Sequence, residues 1–432
     1  MDNVPEIHCD LLVIGSGMTG MAAALFAANR EIDTVQVGLA GELGFASGFL
    51  DLLGVHPTEE GRVWDRPWDG IDALVKSRPR HPYALLNKKD MRASLSDFIS
   101  FLAANGLPYH IDPDRNLKMI TPAGTIKTTY AVPVMVKNGV RAVAKKSSCL
   151  IVDFHGLKGF SGRQIVDSLK KTMPNLITRR ISFPDATGEL FPEQMAFAIE
   201  QPERRAQLAA AIIPHLDRVR YVGLPAILGL YRPMMVFDDL QRQLDRPLFE
   251  IPTMPPSING LRLKNIFGQA LPRRGVRTYY QHKILSAGYR DSYGFRFGVG
   301  REQPMLTIFS KGAILASGRF IGGGLAADRK QVRETIFGLP VHQTPAHLTG
   351  DRSGWHRKSF LDPKGHPINR FGLVTDHELR PLGNNGKPTY PNLFAAGSIL
   401  AHQDWVREKS GAGLAITTAH ASVKAWCRLN GR

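Results

Sequence analysis

Residues 10–28 read DLLVIGSGMTGMAAALFAA, and this stretch decides the fold. An apolar strand ends at Ile14, a G-x-G-x-x-G turn follows, and an alanine-rich helix begins after it. The first glycine allows a sharp turn, the second lets the backbone approach a phosphate, and the third lets the helix lie close to the strand. The helix N-terminus adds unpaired N–H groups and a positive dipole end. The stretch therefore predicts a nucleotide-phosphate site at Gly15, Ser16, Gly17, Met18, Thr19 and Gly20.

The length and composition are those of a soluble globular protein. The chain has 432 residues, which predicts two or three domains, with 43% hydrophobic and 22% charged residues. The polar N-terminus and the lack of a long apolar run predict a cytoplasmic protein. The three cysteines form no C-x-x-C pair, so we expect no iron–sulfur cluster and no structural zinc. No metal site is predicted, because the C-terminal histidines lack ligand spacing: His342, His347, His356, His366 and His377.

The chain is strongly basic, with 55 Lys and Arg, 38 Asp and Glu, and a net charge of +17. Such a charge suits anionic substrates and cofactors, an acidic partner, an anionic membrane surface or nucleic acid. We expect no nucleic-acid partner, because no recognition module and no basic run with interleaved aromatics is present. The basic pairs are spread along the chain, which favours solvated faces.

The later strand patterns predict a Rossmann-like domain that is discontinuous in sequence. The segment 33–37 is predicted to be the second strand, and strands that end in glycine return only at 311–318 and 392–399. We expect residues 1–60 and 275–432 to form an α/β domain with a mixed, mainly parallel sheet. Residues 61–274 are then an inserted α+β cap or substrate region. A domain split in this way is typical of flavoproteins, whose cofactor crosses the carboxyl ends of the strands.

The chain resembles the B-subunit family of anaerobic glycerol-3-phosphate dehydrogenase, flavoproteins distantly similar to fumarate reductase flavoprotein subunits. The proline-rich and SG-x-LDLL segments are fairly specific, whereas the glycine motifs are shared by many flavoproteins. The matching segments follow one another along nearly the whole chain: DLLVIGSGMTG, ASGFLDLLG (46–54), LPAILGL (224–230), IPTMPPSINGLRL (251–263), ILASGRFIGGGL (314–325), FGLVTDHELRP (371–381), NLFAAGSI (392–399) and SGAGLAI (410–416).

The resemblance implies a cytoplasmic chain that works with a second flavin subunit and with a membrane-associated iron–sulfur subunit. Together they oxidise sn-glycerol 3-phosphate to dihydroxyacetone phosphate and pass electrons to quinone. The chain would reach the inner face of the cell membrane only through these partners. Members of this family are expected to carry flavin, usually described as FMN.

The end of the second predicted strand bears on the choice of flavin. A dinucleotide-binding unit normally has Asp or Glu there to hold the ribose of the AMP half, but this chain has Val37-Gly38. One explanation is FMN, with its single phosphate at the Gly15–Gly20 turn. The other is FAD with a different hold on the ribose. The missing carboxylate favours FMN.

The resemblance to fumarate-reductase-like folds implies further contacts with the flavin. The loop after the second strand would lie against the isoalloxazine ring, and the returning strand would end where its backbone can approach the cofactor. The start of the last helix would direct a dipole toward the N1–O2 edge of the ring. The residues concerned are Ser47, Gly48, Gly318, Gly397, Ser398, Gly411 and Gly413.

Oxidation of an alcohol by a flavin also needs a base for the hydroxyl proton and, for a phosphate ester, cations. In AHQDWVREKSG (401–411), His402 is the candidate base and Arg407 a candidate cation. Arg319 is a candidate for stabilising reduced flavin or binding phosphate. Relatives tend to have smaller, glycine-rich residues at 402–409, so this charged loop departs from the family. An exposed polar loop is the alternative interpretation.

Three functions are compatible with the sequence. The chain oxidises glycerol 3-phosphate within the three-subunit complex, or it relays electrons while the second flavin subunit oxidises the substrate. In the third, it is a stand-alone flavin oxidoreductase for another anionic substrate, such as a keto acid or a dicarboxylate.

Overall fold

The structure is a computed structural model that describes residues 4–39, 42–343 and 352–432. The helices are α1 (Met18–Ala28), α2 (Pro67–Ser77), α3 (Lys88–Ala104), α4 (Lys137–Lys145), α5 (Gly162–Leu169), α6 (Pro192–Ala198), α7 (Pro202–Ile212), α8 (Pro233–Leu244), α9 (Ile258–Arg273), α10 (Trp405–Glu408) and α11 (Gly411–Leu429). Across these ranges, no helix combines the length and apolarity needed to cross a membrane.

The longest strands are β14, with twelve residues, and β1, with nine. The strands are β1 (Glu6–Ile14), β2 (Thr34–Gly38), β3 (Tyr109–Ile111), β4 (Leu117–Ile120), β5 (Ile126–Thr129), β6 (Ala131–Pro133), β7 (Cys149–Phe154), β8 (Leu176–Ile181), β9 (Tyr221–Pro225), β10 (Leu248–Ile251), β11 (Arg277–Tyr280), β12 (Lys283–Arg290), β13 (Gly294–Gly300), β14 (Pro304–Leu315), β15 (Leu325–Ala327), β16 (Val332–Glu334), β17 (Val341–His342), β18 (Gly372–Leu373) and β19 (Leu393–Ala395).

The chain forms two units. The first spans Met1–Glu42, Asp51–Phe98 and Phe267–Arg432, and the second spans Leu43–Leu50 and Ile99–Ile266. The borders of these units differ from the predicted ones in three segments: 61–98 and 267–274 were predicted in the inserted region, and 43–50 in the flavin-binding domain. Two of the borders between the units fall inside helices α3 and α9. A shift in composition cannot mark a border that lies within a helix.

The first unit is built on a seven-stranded sheet in the order β11-β2-β1-β14-β13-β12, with β19 paired to β14. Strands β11, β2, β1, β14 and β19 run parallel, and β12 to β14 form antiparallel pairs. Leu11, Leu12 and Val13 are fully buried, as expected for a parallel strand that is covered on both faces. The predicted mixed, mainly parallel α/β sheet is confirmed.

The sequence also predicts strands at 276–287, 294–300 and 304–310, before the one at 311–318, and the structure differs from this prediction in two places. The segments 304–310 and 311–318 form one strand, β14, which pairs first with β13 and then with β19. The segment 276–287 instead divides into β11 and β12, because Gln281 has a positive φ of 59°. β11 pairs with β2, whereas β12 pairs with β13.

The second unit has its own four-stranded parallel sheet, in the order β10-β9-β7-β8. Antiparallel ribbons β3–β6 and β4–β5 accompany it. The sequence predicted an α+β region here but did not identify the parallel sheet. Short apolar runs separated by helices do not specify which strand pairs with which.

A buried ion pair organises the second unit. The side chains of Arg262 and Glu250 are 1% and 0% exposed, and Arg262 Nη1 and Nη2 donate to the Glu250 carboxylate at 2.7 and 2.8 Å. Arg262 Nε also donates to the carbonyl of Gly229 (2.8 Å), and the amide of Leu228 donates to Glu250 (2.8 Å). The pair therefore ties α9 to β10 and to the turn after β9.

The Arg262→Met substitution should destabilise the protein by about 3–5 kcal/mol, because it leaves the Glu250 carboxylate buried and uncompensated. Urea unfolding followed by circular dichroism measures the effect. The control is Arg163→Met, which removes an exposed pair with Asp167 (3.7 Å) and should change little. Equal midpoints for the two variants would contradict the role given to the buried pair.

Candidate functional site

The glycine turn lies at the carboxyl ends of four neighbouring parallel strands. The register pairs Ile14 with Val37 of β2 and with Leu315 of β14, and Leu315 with Ala395 of β19. The segments that leave these strands therefore begin side by side in the first unit. In open α/β sheets, ligands bind at this edge.

Close backbone packing explains the first and third glycines of the motif. Gly15 has a φ of +132°, and a Cβ there would lie 2.1 Å from the carbonyl oxygen of Ala316. A Cβ at Gly20 would lie 2.0 Å from the carbonyl oxygen of Gly15. Helix α1 can therefore begin against the strand only if both positions lack a side chain.

The N-terminus of α1 is available to a ligand. Gly17 is the N-cap, and no side chain of the described chain caps the helix. The first-turn amides have no acceptor within the helix. The hydroxyl of Ser16 donates to the carbonyl of Leu39 at 2.9 Å, which fixes the turn to the end of β2. This arrangement of uncapped amides suits a phosphate group.

The turn after β19 lies against the glycine turn. A Cβ at Gly397 would lie 2.0 Å from Oγ1 of Thr19, and the amide of Gly397 donates to Thr418 Oγ1 at 2.8 Å. Ser398 follows directly, and Gly318 leaves β14 at the same edge of the sheet. The structure thus brings the predicted turn residues together with Gly397, Ser398 and Gly318.

The glycines at the start of α11 have a different environment. The amide of Gly413 donates to the carbonyl of Asp51 at 2.8 Å, and a Cβ there would lie 2.4 Å from the hydroxyl of Tyr83. A Cβ at Gly411 would lie 2.8 Å from the ring of Trp405. Packing within the first unit accounts for both glycines, so their contact with the flavin stays a prediction.

Ser47 and Gly48 belong to the second unit. The carbonyl of Gly48 accepts a hydrogen bond from the hydroxyl of Tyr109 (2.6 Å), and the carbonyl of Ser47 accepts one from Asn259 Nδ2 (3.3 Å). These contacts fix the 47–48 loop inside that unit. Its predicted contact with the isoalloxazine ring stays a prediction.

Arg319 holds backbone carbonyls rather than standing free for a ligand. Its Nε donates to Ser398 O (2.8 Å), Nη2 donates to Gln403 O (3.2 Å), and Nη1 donates to Asn369 O. Burial lowers the pKa of this guanidinium to about 10, so it stays charged at neutral pH. These bonds show that Arg319 positions the segments around 369 and 398–403, and its predicted contact with flavin or phosphate stays a prediction.

Arg407 is engaged in a similar way. Its Nη2 donates to the carbonyls of Pro363 and Thr58, and Nη1 lies 3.8 Å from the carboxylate of Asp404. Nη1 is buried and has no hydrogen-bond partner among the described residues, so the predicted contact of Arg407 with a phosphate ester stays a prediction. Both arginines are engaged by carbonyl groups because irregular buried loops leave carbonyl groups that need donors.

His402 is paired with a second imidazole. Its ring centroid lies 4.2 Å from that of His342, with the rings inclined by 52°. Backbone pairing builds this contact, since β17 sets His342 opposite Gly372 and the amide of Ala401 donates to Leu373 O at 2.9 Å. Both histidines are half-buried.

The environment of His402 keeps its imidazole neutral. Burial lowers the pKa of His402 to about 4, and the charges of His342, Arg80 and His81 act in the same direction. A neutral imidazole is the form that accepts a proton. His402 is therefore neutral at neutral pH, and its role as a base stays a prediction.

Glu408 fixes the segment that carries Arg80. Its buried carboxylate lies 3.1 Å from Arg78 Nη1 and 3.2 Å from His81 Nε2. Burial acts to raise the pKa of Glu408, but His81 and Arg78 outweigh burial and the pKa is lowered. The ionised carboxylate therefore ties the 78–81 turn to α10.

Arg80, His342 and Glu408 were not predicted from the sequence as site residues. Positions 80, 342 and 402 lie far apart along the chain, so no local spacing could reveal their contact. The run RPRHP (78–82) was a local signal, since it concentrates charge in a proline-rich turn. Of the other C-terminal histidines named above, His347 lies outside the described residues.

Comparison with known proteins identifies the family. Residues 10–414 match the model of the FAD binding domain. The B subunit of anaerobic glycerol-3-phosphate dehydrogenase from Vibrio vulnificus (strain YJ016) is 31% identical over 435 residues, covering 97% of this chain and 96% of that protein. The probable B subunit from Halobacterium salinarum (strain ATCC 29341 / DSM 671 / R1) is 30% identical over 436 residues, with coverages of 97% and 98%.

Among solved structures, 3-ketosteroid delta1-dehydrogenase from Sterolibacterium denitrificans is 12% identical and has a TM-score of 0.43, covering 98% of this chain and 100% of that one. This likeness is too distant to support a family.

The sequence matches over almost the full length confirm the resemblance inferred from the motifs. The chain belongs to the B-subunit family of anaerobic glycerol-3-phosphate dehydrogenase, whose members carry an FAD-binding domain, and it is a flavin-dependent oxidoreductase of that family.

Proposed function

We propose that this chain oxidises sn-glycerol 3-phosphate to dihydroxyacetone phosphate and passes the electrons through partner subunits to quinone. The observation that carries the proposal is the half-buried imidazole pair of His402 and His342, with ring centroids 4.2 Å apart, in the same unit as a glycine turn that leaves the N-terminus of α1 uncapped. Relatives named for this activity give it further support.

The cofactor we propose is FAD. The turn at Gly15–Gly20 fits a flavin-nucleotide phosphate, because it presents uncapped amides and leaves room for close backbone approach. The family is an FAD-binding one, which supports a flavin and gives no specific support to FMN. Position 38 has glycine where a dinucleotide-binding unit normally has Asp or Glu, and this feature favours FMN. We propose that Gly318, Gly397 and Ser398 add backbone contacts to the flavin. The other residues that the sequence predicts to contact the flavin are Ser47, Gly48, Gly411 and Gly413.

The bound flavin would supply the acceptor for the hydride from C2 of the substrate. The alcohol loses two electrons and two protons. The hydride carries both electrons and one proton, and His402 accepts the remaining proton from the hydroxyl group. Arg319 acts in this scheme as a positioning residue, because it holds the carbonyls of the loop that carries His402.

We also propose that the chain acts in a complex with a second flavin subunit and an iron–sulfur subunit, at the cytoplasmic face of the membrane. The relatives are named as B subunits, and that name supports an assembly. An electron-relay role without substrate oxidation is the second candidate. The engagement of Arg319 and Arg407 by carbonyl groups favours it.

Anaerobic addition of glycerol 3-phosphate to the isolated, flavin-loaded chain should bleach the flavin absorbance. Bleaching supports substrate oxidation by this chain itself. An intact spectrum, with flavin that dithionite still reduces, supports the relay role. The alternative compounds to test are a dicarboxylate and the hydroxy acid that corresponds to a keto acid. If one of these compounds bleaches the flavin and glycerol 3-phosphate does not, the result supports a different anionic substrate.

The Gly17→Glu substitution should abolish flavin binding, because it sets a carboxylate and its bulk where a phosphate would meet the helix N-terminus. Purified protein should be colourless, yet folded by circular dichroism. Gly268→Glu is the matched control, since a Cβ at Gly268 meets no atom within 4 Å. A yellow Gly17→Glu protein would contradict the phosphate site, and release of FMN from the wild type would contradict the choice of FAD.

His402→Gln should slow flavin reduction by about 10²–10⁴-fold, the range for loss of a general base, with flavin content unchanged. Protonation inactivates a base, so activity is lost as pH falls through its pKa. With a pKa of about 4 in the free protein, kcat/KM should stay level from about pH 8 to pH 6. The exposed residue His8 supplies the control variant His8→Gln. An unchanged rate in His402→Gln would remove His402 from the mechanism.

A further inference from the structure

Two polar groups beside His402 have no role in the scheme above. Arg80 is exposed, and its guanidinium has no hydrogen bond or ion pair with another described residue. His342 Nε2 is buried and, in the described part of the chain, has no hydrogen-bond partner. A buried polar atom without a partner costs free energy unless a ligand satisfies it.

These groups lie close to one another. The ring centroids of His342 and His402 are 4.2 Å apart, and Arg80 is close enough to lower the pKa of both imidazoles, after the larger effect of burial. The ion pairs of Glu408 with Arg78 and His81 hold the turn on which Arg80 lies. The cluster is therefore built by the fold.

Three other arginines near the cluster are already engaged, whereas Arg370, whose carbonyl accepts the amide of His402 at 3.0 Å, has no side-chain hydrogen bond or ion pair with another described residue. Arg319 and Arg407 donate to backbone carbonyls, and Arg78 pairs with Glu408 and Glu59. Arg80 and Arg370 can form new charge-assisted hydrogen bonds without breaking existing ones among the described residues, and Arg80 is the more exposed of the two.

We propose that Arg80 and His342, next to His402, form the subsite that binds the phosphate group of a phosphate-monoester substrate. The inference rests on the proposed function and deepens it, since it names the groups that select the substrate class. Arg80 donates two N–H groups to the phosphate oxygens. His342, as the Nε2–H tautomer, donates a third hydrogen bond.

The geometry suits a substrate whose alcohol lies near its phosphate. In glycerol 3-phosphate, a bridging oxygen and one methylene carbon separate the phosphorus from the carbon that is oxidised. A phosphate held by Arg80 and His342 therefore leaves the hydroxyl beside the neighbouring ring of His402. A phosphate dianion also compensates the charge of Arg80 more fully than a monocarboxylate does.

Calorimetric titration of the flavin-loaded full chain with inorganic phosphate tests the subsite directly. The wild type should bind phosphate more tightly than acetate. Arg80→Gln and His342→Leu should each weaken phosphate binding by about 10-fold or more, as expected for loss of hydrogen bonds to a charged group. Arg80→Lys should restore part of the affinity, because it returns the charge without the planar fork.

The matched control is Arg296→Gln, which removes an exposed arginine from β13 of the same unit and should leave phosphate affinity unchanged. Flavin content and circular dichroism confirm that each variant is folded. Equal affinities of wild type and Arg80→Gln for phosphate would overturn the subsite. Equal binding of acetate and phosphate by the wild type would also overturn it.

Flavin bleaching by glycerol 3-phosphate separates this inference from the proposed function. Arg80→Gln should raise KM by about 10-fold while the rate at saturation stays near that of the wild type. If phosphate binds through Arg80 but glycerol 3-phosphate never reduces the flavin, the subsite stands and the proposed activity fails. If glycerol 3-phosphate reduces wild type and Arg80→Gln with the same KM, the activity stands and the subsite is wrong.

Discussion

The parallel register of β1 with β14 sets the carbonyl oxygen of Ala316 where a side chain at position 15 would begin. A second contact of the same kind sets the carbonyl of Gly15 against Gly20. Both contacts exclude every side chain larger than hydrogen. They fix the start of α1 at the edge of the sheet. The uncapped amides of the first turn therefore lie at this edge. The turn after β19 is then located by the side chains of Thr19 and Thr418, so close backbone contacts set the glycine turn and hydroxyl groups fix its neighbour.

Irregular segments beyond this edge are held by a different means. The loop at 398–403 and the segment at 369 form few regular backbone pairs, and Arg319 supplies donors to both. One guanidinium with five N–H groups can satisfy several carbonyls that no strand reaches. The loop that carries His402 is thereby fixed to the segment that carries Arg370, and the small ribbon β17–β18 delivers His342 to the same place.

The sequence predicted those parts of the fold that local signals determine. The strand–turn–helix at 10–28, the strands that return after residue 275 and the last helix all follow from apolar runs and glycine positions within a few residues. The parallel sheet of the second unit and the borders inside α3 and α9 were not predicted, because pairing between distant strands has no local signal.

The same limit applies to the candidate site. His402 was found from a charged loop, whereas Arg80 and His342 join it only through tertiary contact. The carbonyl partners of Arg319 and Arg407 were not predicted, since a charged side chain in a loop does not reveal which carbonyls lie around it.

Helices α1 and α11 of the first unit both start at glycine-rich sequence, and they differ in how their first amides are used. At α1, Gly17 is the N-cap and no side chain of the described chain caps the first turn. At α11 the amide of Gly413 already has the carbonyl of Asp51 as acceptor, and the hydroxyl of Tyr83 lies where a side chain would be. The positive end of the second dipole is thus partly neutralised by the protein's own backbone. Both helices lack a side-chain cap from the described residues, but α11 has already used the amide of Gly413, so α1 offers an anion the larger number of free first-turn amides.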